Sequence, residues 1–219
     1  MIRIFFKFIF CLSLITSLIF GQSNSSAGFY IGATYSTFVG KDAVIQFDDL
    51  IENLKPKYLL SYAGGMYINT PGNDIANPRL EVIISQKGAR YTEKKQYNSE
   101  TLKINMQAKM LYLEFPLMLA VKLSPHFIIM GGPYISHFLK GETIAKISYG
   151  GEKETDKGKI KSSDTTPTDY GYALGASINV TKMFGINLRY LSGMKTVDEE
   201  EKMDVKHSSF RIMLSIGSW

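Results

Sequence analysis

Glu81, Glu114, Arg189 and Arg211 each stand alone between large apolar neighbours: Leu80 and Val82, Leu113 and Phe115, Leu188 and Tyr190, Phe210 and Ile212. Successive side chains of a strand point to opposite faces, so each charge lies on the face its neighbours avoid. Two acids and two bases placed this way are equipped for ion pairing. If those faces enclose a narrow interior, each charge needs a partner there, because burying one alone is costly. The expected result is a network of Glu–Arg pairs locking the interior. The competing reading is a narrow polar conduit.

Other candidate chemistry is sparse. His126 follows Pro125 in a short turn, His137 is near a strand end, and His207 starts the last strand. No Ser or Asp stands at a spacing that would make a hydrolase of them, and an enzyme would need them clustered at one rim. No catalytic residue, cofactor site or metal site is therefore expected. The acidic segment Asp198 to Asp204 lacks a calcium-loop pattern and reads as solvated. The only cysteine, Cys11, lies in an apolar leader, so the mature chain is expected to lack disulfides, thiol nucleophiles and cysteine metal sites.

The elements that position these charges are strands. Leu111 to Lys122 alternates Leu111, Leu113, Phe115, Leu117, Leu119 and Val121 against Tyr112, Glu114, Pro116, Met118, Ala120 and Lys122. Its length suits a tilted membrane-crossing strand of roughly 9–11 residues. Similar patterns predict strands within 28–38, 58–69, 79–91, 102–122, 127–139, 169–180, 184–191 and 209–216. The fifth is apolar on both faces and has no preferred orientation. Pro116 cannot donate to a ladder and predicts a bulge. The intervening 41–57, 92–101, 140–168 and 194–206 read as long loops, the first with a short helical element, and 140–168 as charged and solvated. Long connections thus follow strands one, three, five and seven, and short ones follow two, four and six. That is the layout of an all-β, eight-stranded antiparallel up-and-down transmembrane β-barrel. Tyr58, Tyr67, Tyr91, Phe127, Tyr170 and Tyr190 are candidates for its aromatic girdle.

The start of the chain agrees with export. Arg3 and Lys7 precede an apolar run of 13 residues from Phe8 to Phe20, with Gly21 at the expected cut. Residues 1–21 read as a signal peptide, and 22–219 as one barrel domain. A retained anchor helix would need a longer run, of about 20 residues. Without the leader's two bases, 23 basic residues face 20 acidic ones. That balance gives no reason to expect nucleic acid as a partner.

From Leu80 onward the chain resembles the PorT-like outer-membrane β-barrel family of Bacteroidetes and related bacteria. The resemblance is carried by Leu80-Glu81 with Ser85-Gln-Lys-Gly88, Tyr112-Leu-Glu-Phe-Pro116, Gly132-Pro-Tyr134, Asp169-Tyr-Gly171 with Gly175, and Arg189-Tyr190 with Gly193. It implies a Gram-negative outer-membrane location. The founding member assists assembly of a gliding-associated secretion system, and most members have no assigned role. Barrels of this kind usually end on an aromatic in phase with the lipid-facing side chains. Trp219 ends this chain out of phase with Phe210 to Ile216.

Three function classes follow. One is a structural or interaction barrel of the envelope, in contact with outer-membrane lipid and with envelope or secretion-system proteins through 140–168 and 194–206. Another is a narrow small-solute channel. The last is a soluble exported barrel holding an apolar ligand, which the inward charges disfavour.

Overall fold

The computed structural model describes residues 26–45, 53–70, 75–97, 100–197 and 203–217. The leader, most of the acidic run (198–202) and Trp219 lie outside them. Among the described residues nine strands form one antiparallel sheet: β1 (Ser26–Val39), β2 (Pro56–Asn69), β3 (Ala76–Tyr97), β4 (Glu100–Lys122), β5 (Phe127–Tyr149), β6 (Glu152–Ile160), β7 (Thr168–Asn179), β8 (Phe184–Gly193) and β9 (Lys206–Gly217). Eight of them close a ring, in the order β1-β2-β3-β4-β5-β7-β8-β9 and back to β1. Closure matters because an open edge in hydrocarbon would leave backbone groups unpaired. Among the described residues no helix is long and apolar enough to cross a membrane.

The predicted alternation holds around the ring. Leu117, Leu119, Leu174, Ile178, Leu188, Ile212 and Leu214 are exposed, while the residues between them turn inward. The structure also orients the fifth strand: Ile129 and Ile135 face out, and Ile128, Met130 and Tyr134 face in. Of the girdle candidates, Tyr58, Phe127 and Tyr170 are exposed, whereas Tyr67 and Tyr91 are buried inside.

Two predicted loops are strands instead. In the first, residues 92–97 and 100–101 continue β3 and β4, which stay paired up to Tyr97 and Glu100. Most of 140–168 extends β5 and forms β6, which pair from Gly141 and Ile160 up to Tyr149 and Glu152. The Gly150-Gly151 turn between them needs φ of 57° and 87°, which glycine adopts without steric cost. β3, β4 and β5 thus continue past the ring and, with β6, form a four-stranded blade. From Gly88 to Tyr97 the β3–β4 ladder rises roughly 30 Å along the strands. These segments are largely polar on both faces because both stand beyond the hydrocarbon belt, so hydrophobic alternation gives no strand signal there. β6 is an edge strand, and its many charges guard it against pairing with other chains.

The blade leaves the ring beside a register shift. β2 pairs Tyr58 with Ala89 but Ala63 with Ser85, so it carries one extra residue between them. Ser36 of β1 fills the gap: its Oγ donates to the Gly88 carbonyl oxygen and accepts from the Gly88 N–H, both at 2.9 Å. Ser61 Oγ donates to the Gln86 carbonyl oxygen at 2.6 Å. A second shift lies between Leu111 and Tyr112 on the β4–β5 side. Pro116, by contrast, marks no bulge: Pro116 pairs with Tyr134 and Leu119 with Gly131 in unbroken register. Its missing N–H weakens the ladder locally without adding a residue.

Ser36→Ala should therefore strand two buried backbone groups and destabilise the barrel by about 1–3 kcal/mol. Urea unfolding in detergent micelles reads this directly, and an unchanged midpoint would mean that Gly88 finds other partners.

Candidate functional site

Inside the ring the side chains assemble in tiers. Nearest the short-turn end, Arg79 on β3 donates through Nε to Asn69 Oδ1 at 2.5 Å and through Nη1 to the Tyr30 hydroxyl at 2.8 Å. Its guanidinium also lies 4.6 Å from the centre of the Tyr67 ring. Tyr30 in turn donates to Glu81 Oε1 at 3.2 Å. Arg189 completes this tier. Its Nη2 donates to Glu81 Oε1 and to the Tyr30 hydroxyl, each at 2.8 Å, and its Nη1 binds Glu81 Oε2.

The next tier centres on Glu114 of β4. Arg211 of β9 grips it with both arms, Nη1 to Oε2 at 2.5 Å and Nη2 to Oε1 at 2.8 Å. Ser85 donates to Oε1 at 2.8 Å, and Lys87 Nζ lies 2.7 Å from the same oxygen. Lys87 also sits between the faces of Tyr112 and Tyr134, 4.9 and 5.1 Å from their centres. Beyond it, Tyr134 donates to Asp169 Oδ2 at 3.2 Å, and Tyr112 shares a hydrogen bond with His207 Nε2 at 3.0 Å. Glu81, Glu114, Arg79, Lys87 and Arg211 are each no more than 2% exposed.

In the eight-membered ring β3 lies opposite β8, and β4 lies opposite β9. The pairs Glu81–Arg189 and Glu114–Arg211 therefore each cross the full diameter of the barrel. Arg189 and Arg211 face each other directly across the β8–β9 ladder. Like charges so placed repel, and here each is met by a carboxylate from the far wall. The four charges singled out in the sequence come together as two such pairs. Arg79 and Lys87 belong to the same site but were not predicted, although both share the odd-numbered phase of Glu81 on β3. Asp169 and Tyr30 were not predicted to join it either.

The histidines lie far apart. His126 is exposed in the β4–β5 turn, with Nδ1 3.1 Å from the Asn179 carbonyl oxygen; His137 is exposed on the outer face; and His207 is buried within. Among the described residues no group of three or more His, Cys, Asp or Glu side chains could hold a metal ion.

The blade end of the interior is capped by apolar side chains. Phe38, Ala43, Leu54, Tyr91, Ile104 and Phe138 form a cluster, with Val197 and Val205 packed against it. Ala43 and Leu54 of the connection after β1, and Val197 and Val205 of the connection before β9, thus pack inward beneath the blade. Tyr91 donates to the Ala43 carbonyl oxygen at 3.0 Å, and burial pushes its phenol up to about 12. Nearby, a hydrogen bond from Lys206 holds the exposed Asp204 carboxyl below its usual range.

A closed ring with an apolar outer belt and a charge-paired core defines an outer-membrane β-barrel. The chain belongs to the outer membrane protein beta-barrel domain family, whose model matches residues 20–199. Its place is the outer membrane, in contact with membrane lipid. No curated protein matches the chain. Among solved structures it is similar to Ail, the attachment invasion locus protein of Yersinia pestis, at 13% identity over 88% of this chain and 98% of that one, with a TM-score of 0.40. Neisserial surface protein A is similar at 14% identity over 89% and 99%, with a TM-score of 0.38.

Removing one partner of a buried pair leaves its mate uncompensated, at a cost of about 3–5 kcal/mol. Glu114→Gln strands both Arg211 and Lys87, so the barrel's unfolding midpoint in urea should fall sharply. Replacing Glu114, Arg211 and Lys87 together by Leu and Met should recover most of that loss. A single variant as stable as the parent would show that the pairing contributes nothing.

Proposed function

We propose that this protein is a non-enzymatic structural and interaction component of the outer membrane. On this reading the barrel anchors, and the blade presents a rigid sheet to other envelope proteins. One observation carries the reading: side chains fill the interior while three strands run on past the ring and, with β6, build a sheet of four. An eight-stranded barrel has an interior just wide enough to be filled in this way. Here the cross-diameter pairs act as a structural lock, and the blade's cost in ordered chain makes sense as a display surface. The proposal includes removal of residues 1–21 on export, leaving 22–219 as the barrel domain. PorT-like motifs favour a partner within a secretion-system assembly, contacted through the blade hairpin (140–168) and the connection 194–206.

The test has two arms. Full-length protein in planar bilayers should give no stable unit conductance; reproducible conductance steps would support the small-solute channel and overturn the anchor. In the second arm, a two-residue Asn-Gly turn replaces 143–158, within the paired hairpin. The shortened protein should keep its heat-modifiable gel mobility and lose co-purification with secretion components. Co-purification that survives the deletion would remove the blade from the interaction.

A further inference from the structure

The two faces of the blade carry opposite charge. Its registers place Lys94, Lys103, Ser148 and Lys153 in one row, and Arg90, Gln107, Ile144 and Lys157 in another. Nearer the barrel, Lys109, Glu142 and Lys159 form a third row, followed by Leu111 beside Lys140. Glu142 is the one acid on this face among the described residues, and it lies 4.0 Å from Lys109. The other face carries Glu93, Glu100, Glu152, Glu154 and Asp156, with Lys95 as the one base beside them among the described residues of the blade. The split follows from β6, where Glu152, Glu154 and Asp156 alternate with Lys153, Lys157 and Lys159.

The basic face continues the lipid-facing one. On β4 the outward residues run from Leu119 through Leu117, Phe115, Leu113 and Leu111 to Lys109 and Lys103 with no change of phase. On β3 they run from Leu80 through Ile84 and Gln86 to Arg90 and Lys94. The lysines therefore begin where the apolar belt ends, at the height of lipid headgroups. A cavity of about 520 Å³ marks the boundary, with Lys109, Lys140, Lys159 and Lys161 above Leu111 and Tyr62, and Glu142 also on its wall.

We propose that this outer face binds the phosphate-bearing headgroups of lipids in the outer leaflet, with the Lys109–Lys140–Lys159–Lys161 cavity as its tightest point. Charge complementarity supplies the attraction, since basic residues beside a membrane bind anionic headgroups additively. Continuity with the belt selects a lipid over a soluble polyanion: apolar Leu111 and Tyr62 suit the acyl chains below a phosphate. Exposed lysines kept apart by strand geometry repel one another, and anionic headgroups would relieve that repulsion.

Full-length protein is reconstituted in phosphatidylcholine nanodiscs doped with diphosphoryl lipid A, extracted gently, and its retained lipid counted by native mass spectrometry. Lipid A should be enriched over phosphatidylcholine by roughly tenfold. The enrichment should fall towards parity in Lys109→Gln/Lys140→Gln/Lys159→Gln and, for the unaltered protein, in high salt. Heat-modifiable mobility checks that the variant folds; if it does not, the salt series on the unaltered protein decides alone. No enrichment, or enrichment indifferent to salt, would overturn the proposal. So would lysine-dependent binding of dextran sulfate by protein in pure phosphatidylcholine discs without lipid A enrichment.

Discussion

Two ion pairs that span the barrel from wall to wall set the terms for the rest of the molecule. Glu81 reaches Arg189, and Glu114 reaches Arg211, across the diameter of an eight-strand ring. The two arginines are cross-strand neighbours, so the wall that holds them would repel itself without the opposite wall. Removing charges from water is expensive, and these pairs offset the expense only with bidentate geometry and added hydrogen bonds. Ser85 and Tyr30 supply those bonds. Closure of the ring and pairing of the core are therefore one requirement: an open sheet could not bring β3 to β8.

A filled core frees the ends of the strands for other uses. The short-turn end stays compact, whereas at the other end β3, β4 and β5 run on and recruit β6. The ring can let them go because Ser36 satisfies Gly88 where β2 shifts register, and because Phe38, Leu54 and Tyr91 give the blade's lower inner face something apolar to rest on. Strand pairing, a bulge and a small hydrophobic cluster together turn one wall of a barrel into a free-standing sheet.

The wall assignments were the most legible part of the sequence. Leu80-Glu-Val82 and Phe210-Arg-Ile212 declare their faces because lipid tolerates no charge and the interior accepts only paired ones. The blade was far less legible. Residues 92–96, 100–101 and 152–159 are polar on both faces, and a search for greasy alternation passes over them. Two local signals were nonetheless present: Gly150-Gly151 is a hairpin turn pair, and the alternation of acid and lysine along β6 has the period of a strand. Lys87 and Arg79 were missed for another reason. Each shares the phase of Glu81 but lies at a stretch's polar end, where a charge attracts no notice.

By itself, the sequence determined which side chains look inward and which look out, since strand geometry imposes a period of two wherever one side meets lipid. It also determined the number of walls and the end that holds the short turns. The tertiary structure alone decided who meets whom. That Glu114 takes Arg211 and Glu81 takes Arg189 depends on stagger and closure, which place β4 opposite β9 and β3 opposite β8; no local pattern encodes that distance. The blade was decided at the same level, because strands standing in water are held by their neighbours' backbones, and pairing leaves no mark on hydrophobicity.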